Sequence, residues 1–314
     1  MESIKLSFQA VMPIFMLMLI GFLIKKLGFL DKKSIGVINK LIFKIFLPVL
    51  LFYNIYSTNS PDVFNLKLIL FAAVGVLFIF VLGYFAVFFL TKDNKKRGVM
   101  LQGFFRANYA ILGIPLVNYI CGEKTSGVAS LMVAVVIPIF NTLAVVALER
   151  FREGNTKLNF FKLLKGVVSN PLIIGCAIGL VVFALDIKLP FLVEKSVKDI
   201  SSIATPLSII ILGAGFEFSD IKGYFKENII VVFVKLILTP LLILPFAVWM
   251  GFSGEALACL LMVFAAPVAV SSYSMVQQMD GDETLAVQVI ATSSALCLVT
   301  LFLWIFAMSY LGLF

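Results

Sequence analysis

Two short stretches of this chain hold the residues best suited to chemistry. One runs Arg106-Ala-Asn108 and on to Gly113-Ile114-Pro115; the other runs Ala265-Ala266-Pro267-Val268 and on to Ser271-Ser272-Tyr273-Ser274. Both lie inside apolar runs. Pro115 has no N–H and Gly113 tolerates non-helical backbone, so a helix here is expected to break at Gly113-Ile114-Pro115, and a second one at Ala266-Pro267-Val268. In lipid, the freed backbone groups must be satisfied by protein or by water in a cavity. Half-helix N-termini carry partial positive charge and unsatisfied N–H groups, so two of them facing one cavity suit an anion, above all a carboxylate. Arg106 either adds a full charge there, about 12 Å into its helix at 1.5 Å per residue, or snorkels to the headgroups. Asn108 can hold a carboxylate or bridge two helices, and Asn141 is a weaker candidate of the same kind. The candidate binding set is Arg106, Asn108, Gly113, Ile114, Pro115, Asn141, Ala266, Pro267, Val268 and Ser271.

Other chemistries are excluded or unsupported. Histidine is absent, which removes His-based general base catalysis, His metal ligands and His proton relays. The four cysteines, Cys121, Cys176, Cys259 and Cys297, are far apart in or beside apolar runs and read as small apolar fillers rather than disulfides or a metal site. No Asp or Glu lies at the centre of an apolar run, with Glu217 and Glu255 at the ends of theirs. A buried carboxylate relay or a carboxylate sodium cage is therefore not evident. Neither an enzyme nor a cofactor is expected.

The elements that must position these residues are membrane helices. Of 314 residues, 61% are hydrophobic and 13% charged, with a mean hydropathy of +1.10, far from the balance of a soluble domain. Apolar runs give ten candidate spans, near 8–24, 37–57, 67–90, 98–120, 126–148, 167–185, 197–216, 228–250, 256–279 and 284–311. They are apolar on every face over helical lengths, which excludes a barrel of alternating strands. The first run ends in Lys25-Lys26 without a cleavage site and reads as a retained helix. The net charge of +8 is spread over short loops, so it sets topology and does not form a surface for nucleic acid. Most Lys and Arg fall in one set of alternate loops, including the basic loop 149–166, which predicts a multi-pass protein of the cell inner (plasma) membrane with both termini outside. The last loop on the basic side, around Asp280, Asp282 and Glu283, carries no positive charge. Lys44 and Lys235, near or inside spans, are expected to snorkel.

Three proline pairs, Pro13 and Pro171, Pro48 and Pro206, and Pro115 and Pro267, recur at nearly one offset. That predicts a five-span unit at 1–148 and an inverted copy at 167–314, the plan of many secondary transporters. Broken helices at matching positions of the two halves mark the binding site.

The segment Asn108-x4-Gly113-Ile114-Pro115-Leu116 resembles the Asn-x4-Gly-Ile-Pro-Leu segment of PIN-type auxin carriers and their bacterial relatives in the auxin efflux carrier family. Met12-Pro13 with Gly21, Ile38-Asn39-Lys40 with Leu47-Pro48, Asn59-Ser60-Pro61, Glu149 and Ala265-Ala266-Pro267 extend the resemblance over nearly the whole chain. It implies an all-α polytopic fold of ten transmembrane helices in two inverted repeats, shared with bile-acid carriers, in which helices four and nine cross at their prolines. It also implies a carboxylate bound at the crossover, an elevator-like motion of a transport part against a scaffold of spans one, two, six and seven, and homodimers. Span three lacks the acidic residue of the plant carriers, the loop after span five is short, and Asn141 stands where plant members have an aromatic residue. The expected function is transport of small organic anions, with a sodium-coupled symporter and a membrane-embedded ligand sensor as alternatives.

Overall fold

The computed structural model describes residues 2–57, 65–121, 126–152, 168–215 and 221–313. The Asn59-Ser60-Pro61 loop, Glu217 and most of the basic loop 149–166 lie outside them. The chain is all-helical across the described residues: α1 (Glu2–Lys26), α2 (Lys32–Leu41), α3 (Leu47–Tyr56), α4 (Leu66–Leu90), α5 (Asn94–Phe105), α6 (Ile114–Cys121), α7 (Ser126–Arg150), α8 (Pro171–Ala184), α9 (Phe191–Gly215), α10 (Ile221–Phe233), α11 (Thr239–Trp249), α12 (Gly254–Ala265), α13 (Ser271–Gln278) and α14 (Glu283–Tyr310). Four stretches, Lys32–Tyr56, Leu66–Leu90, Phe191–Gly215 and Gly223–Trp249, are long and apolar enough to cross a membrane, and α14 makes a fifth if its bent halves count as one span. This is a multi-pass membrane protein.

Short polar residues in the loops start the helices. The side chains of Asp31, Asn65, Asp93, Asn170 and Asp282 accept from first-turn N–H groups at 2.7–3.0 Å, meeting donors that lipid cannot. Three of these five caps are aspartates. Wider π-helical turns occupy Ile42–Phe46, Tyr109–Gly113 and Val234–Leu238. Each ends one residue short of an X-Pro pair, at Pro48, Pro115 and Pro240. A proline removes the bond to the carbonyl four residues back and crowds it, and a locally wider turn absorbs both effects.

Small residues set the closest helix contacts. Gly21 of α1 lies against the Ile210 carbonyl of α9, and Gly213 of α9 against the Met18 carbonyl of α1, so closely that a β-carbon at either would overlap the facing backbone. Gly175 of α8 meets Pro48 of α3 in the same manner. In membranes, where burial gives little drive for helix association, such close approach gains van der Waals contact. These four helices form one packed group. The segments α5–α6 and α12–α13, with α4, α7, α10, α11 and α14, form the other. The outward face of α4 (Leu70, Val74, Leu77, Val81, Phe85) stays exposed, as a lipid-facing surface requires.

The acidic loop after α13 shares a face with the basic loops. Asp280 Oδ2 accepts from Arg152 Nη2 at 2.6 Å, and Glu227 pairs with Lys96 at 2.8 Å. The positive charge missing from the Asp280 loop is supplied by the end of α7. Asp280 has a left-handed φ of +60°, one of few non-glycine residue types that tolerate it.

Candidate functional site

Two helices are interrupted side by side. α12 stops at Ala265; Ala266 is extended at φ −66°, ψ 152°, and α13 begins at Ser271. Local sequence dictates this break, because a residue before proline is pushed out of the helical region. α5 stops at Phe105, and Arg106 is extended at φ −77°, ψ 128°. The expected break at Gly113-Ile114-Pro115 is therefore corrected: the chain leaves the helix at Arg106–Asn108, Tyr109–Gly113 is a π turn, and Pro115 sits second in α6. The wider π turn ahead of it absorbs the missing N–H, which is why this proline does not itself interrupt the backbone. The two breaks bond directly, with Asn108 N–H donating to the Pro267 carbonyl at 2.8 Å. Val268 N–H donates to Ser293 Oγ at 3.3 Å, so this α14 serine closes the back of the crossing.

In front of the crossing lies a cavity of about 180 Å³. It is lined by the polar residues Arg106, Asn108, Asn141 and Ser271, by the apolar Leu47, Leu51, Ile137, Phe140 and Leu172, and by Asn54 of α3 and Thr205 and Ser208 of α9. Its walls thus come from both helix groups.

Arg106 does not snorkel. It is 3% exposed, and its Nη2 donates to Asn141 Oδ1 at 2.8 Å and Ser271 Oγ at 2.7 Å while Nη1 rests on Met275 Sδ. Asn141 in turn donates from Nδ2 to the Ile137 carbonyl at 2.8 Å, which fixes its oxygen toward the guanidinium. No carboxylate among the described residues pairs with Arg106. Asn108 is 5% exposed and its Nδ2 has no partner. A buried cation without an anion and a buried amide donor without an acceptor both line the cavity, an arrangement able to receive an anionic oxygen.

The remaining candidates divide. Ala266 and Val268 are buried in the crossing behind the cavity, and Pro267 acts there through its carbonyl. Gly113 is structural: a β-carbon there would stand 2.8 Å from the Tyr109 ring. Ile114 and Pro115 open α6, and their side chains lie outside the description. Sequence reasoning missed Asn54, Thr205 and Ser208, although a polar residue in an apolar run was the available signal. It also misjudged Lys235, which is fully buried and donates at 3.4 Å to the carbonyls of Phe105 and Val263. Lys44 is exposed, as snorkelling requires.

Residues 6–305 match the family model described as membrane transport protein. An uncharacterized transporter of Methanothermobacter thermautotrophicus is 22% identical over 302 residues, covering 95% of this chain and 97% of its own. An uncharacterized transporter of Methanocaldococcus jannaschii is 24% identical over 243 residues, covering 74% and 76%.

Proposed function

We propose that this chain, which belongs to the membrane transport protein family, moves small organic anions across the membrane by binding a carboxylate between Arg106 and Asn108. That it is a transporter rather than an enzyme follows from the family and from the two transporter relatives. The observation that carries the anion reading is the buried Arg106 guanidinium, aimed by Asn141 and Ser271 into a cavity and matched by no carboxylate among the described residues. Asn108 Nδ2 supplies the second donor, and the apolar walls accept the organic body.

The rest of the cycle is our reading of the same geometry. The helices are taken as ten passes in two inverted units, 1–148 and 167–314, joined by loop 149–166. A cavity walled by both helix groups supports an elevator-type step in which the crossed helices carry the site past α1, α3, α8 and α9. Dimerisation of two copies through those four helices would hold that group still in the bilayer. The Arg152–Asp280 pair supports a common basic face, assigned to the cytoplasm of a cell whose inner membrane holds both termini outside.

The test is uptake of labelled mono- and dicarboxylates into proteoliposomes, with Asn108→Ala beside wild type. Saturable uptake whose half-saturation rises a few-fold or more in the variant supports the reading. Absence of anion flux, or unchanged half-saturation in the variant, refutes the site.

A further inference from the structure

The crossing has a second charged partner, on the side of the half-helices that end there. α5 and α12 both terminate at the crossing, at Phe105 and Ala265. Helix C-termini leave unsatisfied carbonyls that carry partial negative charge. Within α5, the Phe104 carbonyl accepts from Thr239 Oγ1 at 3.3 Å and the Phe105 carbonyl from Lys235 Nζ at 3.4 Å. Within α12, the Val263 carbonyl accepts from the same Nζ at 3.4 Å. Lys235 itself is fully buried, in the π turn of the α10–α11 stretch, and no acidic side chain among the described residues pairs with it. As an ammonium it meets, among the described residues, carbonyl oxygens and no carboxylate, as a carbonyl-coordinated metal ion would. The π turn holds the lysine there, between Phe233 and the Thr239-Pro240 pair.

We propose that the carbonyl ends of α5 and α12 form a cation site and that Lys235 fills it covalently, as a tethered cation in place of an inorganic one. The crossing then keeps its cation through every turn of the cycle. This goes beyond the anion reading and is tested without any anion, so the two fail separately.

Lys235→Ala removes three methylenes and the ammonium, a fragment matched by n-propylammonium. Melting of purified wild type and variant is measured in detergent with choline chloride, then with n-propylammonium, ammonium, sodium or propan-1-ol added. The variant is expected to melt lower than wild type in choline and to rise by about 3 °C or more, saturably, with n-propylammonium. Propan-1-ol, which fills the same space without charge, is expected to leave it unchanged, and wild type is expected to ignore all four additives. Equal rescue by propan-1-ol would show a volume effect and overturn the proposal. So would failure of every cation to raise the variant, or specific stabilisation of wild type by sodium. If Lys235→Ala cannot be purified, Lys235→Met keeps the bulk and removes the charge. Wild-type melting in that variant overturns the proposal, and a loss of several degrees supports it.

Discussion

Replacing Arg106 with glutamine removes the one charge that reaches the cavity from the described residues, while keeping a planar donor group. Arg106 has five N–H donors, and the oxygens of Asn141 and Ser271 engage its Nη2. A substrate carboxylate bound to the remainder makes a charge-assisted bond that contributes about 1.5–3 kcal/mol. At about 1.4 kcal/mol per tenfold, its loss weakens anion binding by roughly 10- to 150-fold. Asn141 and Ser271 also lose their donor, at about 1 kcal/mol each, so the variant melts several degrees lower without unfolding at 25 °C. Arg106→Lys is expected between the two, because a point charge cannot span both oxygens as the guanidinium fork does. Half-saturation of carboxylate uptake in proteoliposomes, corrected for folded protein, gives the binding change. A glutamine variant that half-saturates within about twofold of wild type would refute the assignment of Arg106 as the anion's partner.

Asn108→Ala deletes a neutral donor and should weaken the same anion by about 0.5–1.5 kcal/mol, a few-fold to roughly tenfold, without the loss of charge; a larger effect than that of Arg106→Gln would reverse the proposed ranking. Gly213→Leu drives a side chain into the Met18 carbonyl and should cost about 1–3 kcal/mol of stability, read as a lower melting temperature, while Gly223→Leu, with open space at its β-position, should cost far less. Arg152→Gln tests the pair that joins α7 to the Asp280 loop. The hydrogen bond that Arg152 donates to Asp280 raises the Arg152 pKa above its ordinary value, so this contribution is fully present below the ordinary arginine range and is lost only as pH rises through the raised value. The melting difference between Arg152→Gln and wild type should therefore stay constant from about pH 6 to pH 9, at under about 1 kcal/mol for a part-exposed pair; a difference that disappears on moving from pH 6 to pH 9 would count against it.

Legibility of the site varied residue by residue. Arg106 and Asn108 stand out in any reading, since charge and amide are rare in apolar runs. The break of α12 was readable too, because Pro267 forces Ala266 out of the helix by local sterics. The break of α5 was not. Its nearest proline lies seven residues on, and the backbone opens at Arg106–Asn108 where Asn108 N–H meets the Pro267 carbonyl. A long-range hydrogen bond decides that position, and no local propensity encodes it. Lys235 shows the same limit: near a span end a lysine's stem can reach water, and only the facing carbonyls of two distant helix ends explain why this one stays inside.

Composition and spacing alone determined that the chain is a helical membrane protein, where its apolar runs begin and end, and that histidine chemistry has no place in it. These follow from transfer free energies and residue inventory, which need no knowledge of neighbours. Tertiary structure alone decided which polar residues meet. Asn141 lies 35 residues from Arg106 and Ser271 lies 165 away, so their convergence on one guanidinium depends on how separate helices pack. Helix packing here runs through glycine contacts and crossed backbones, and those carry no signature along the chain.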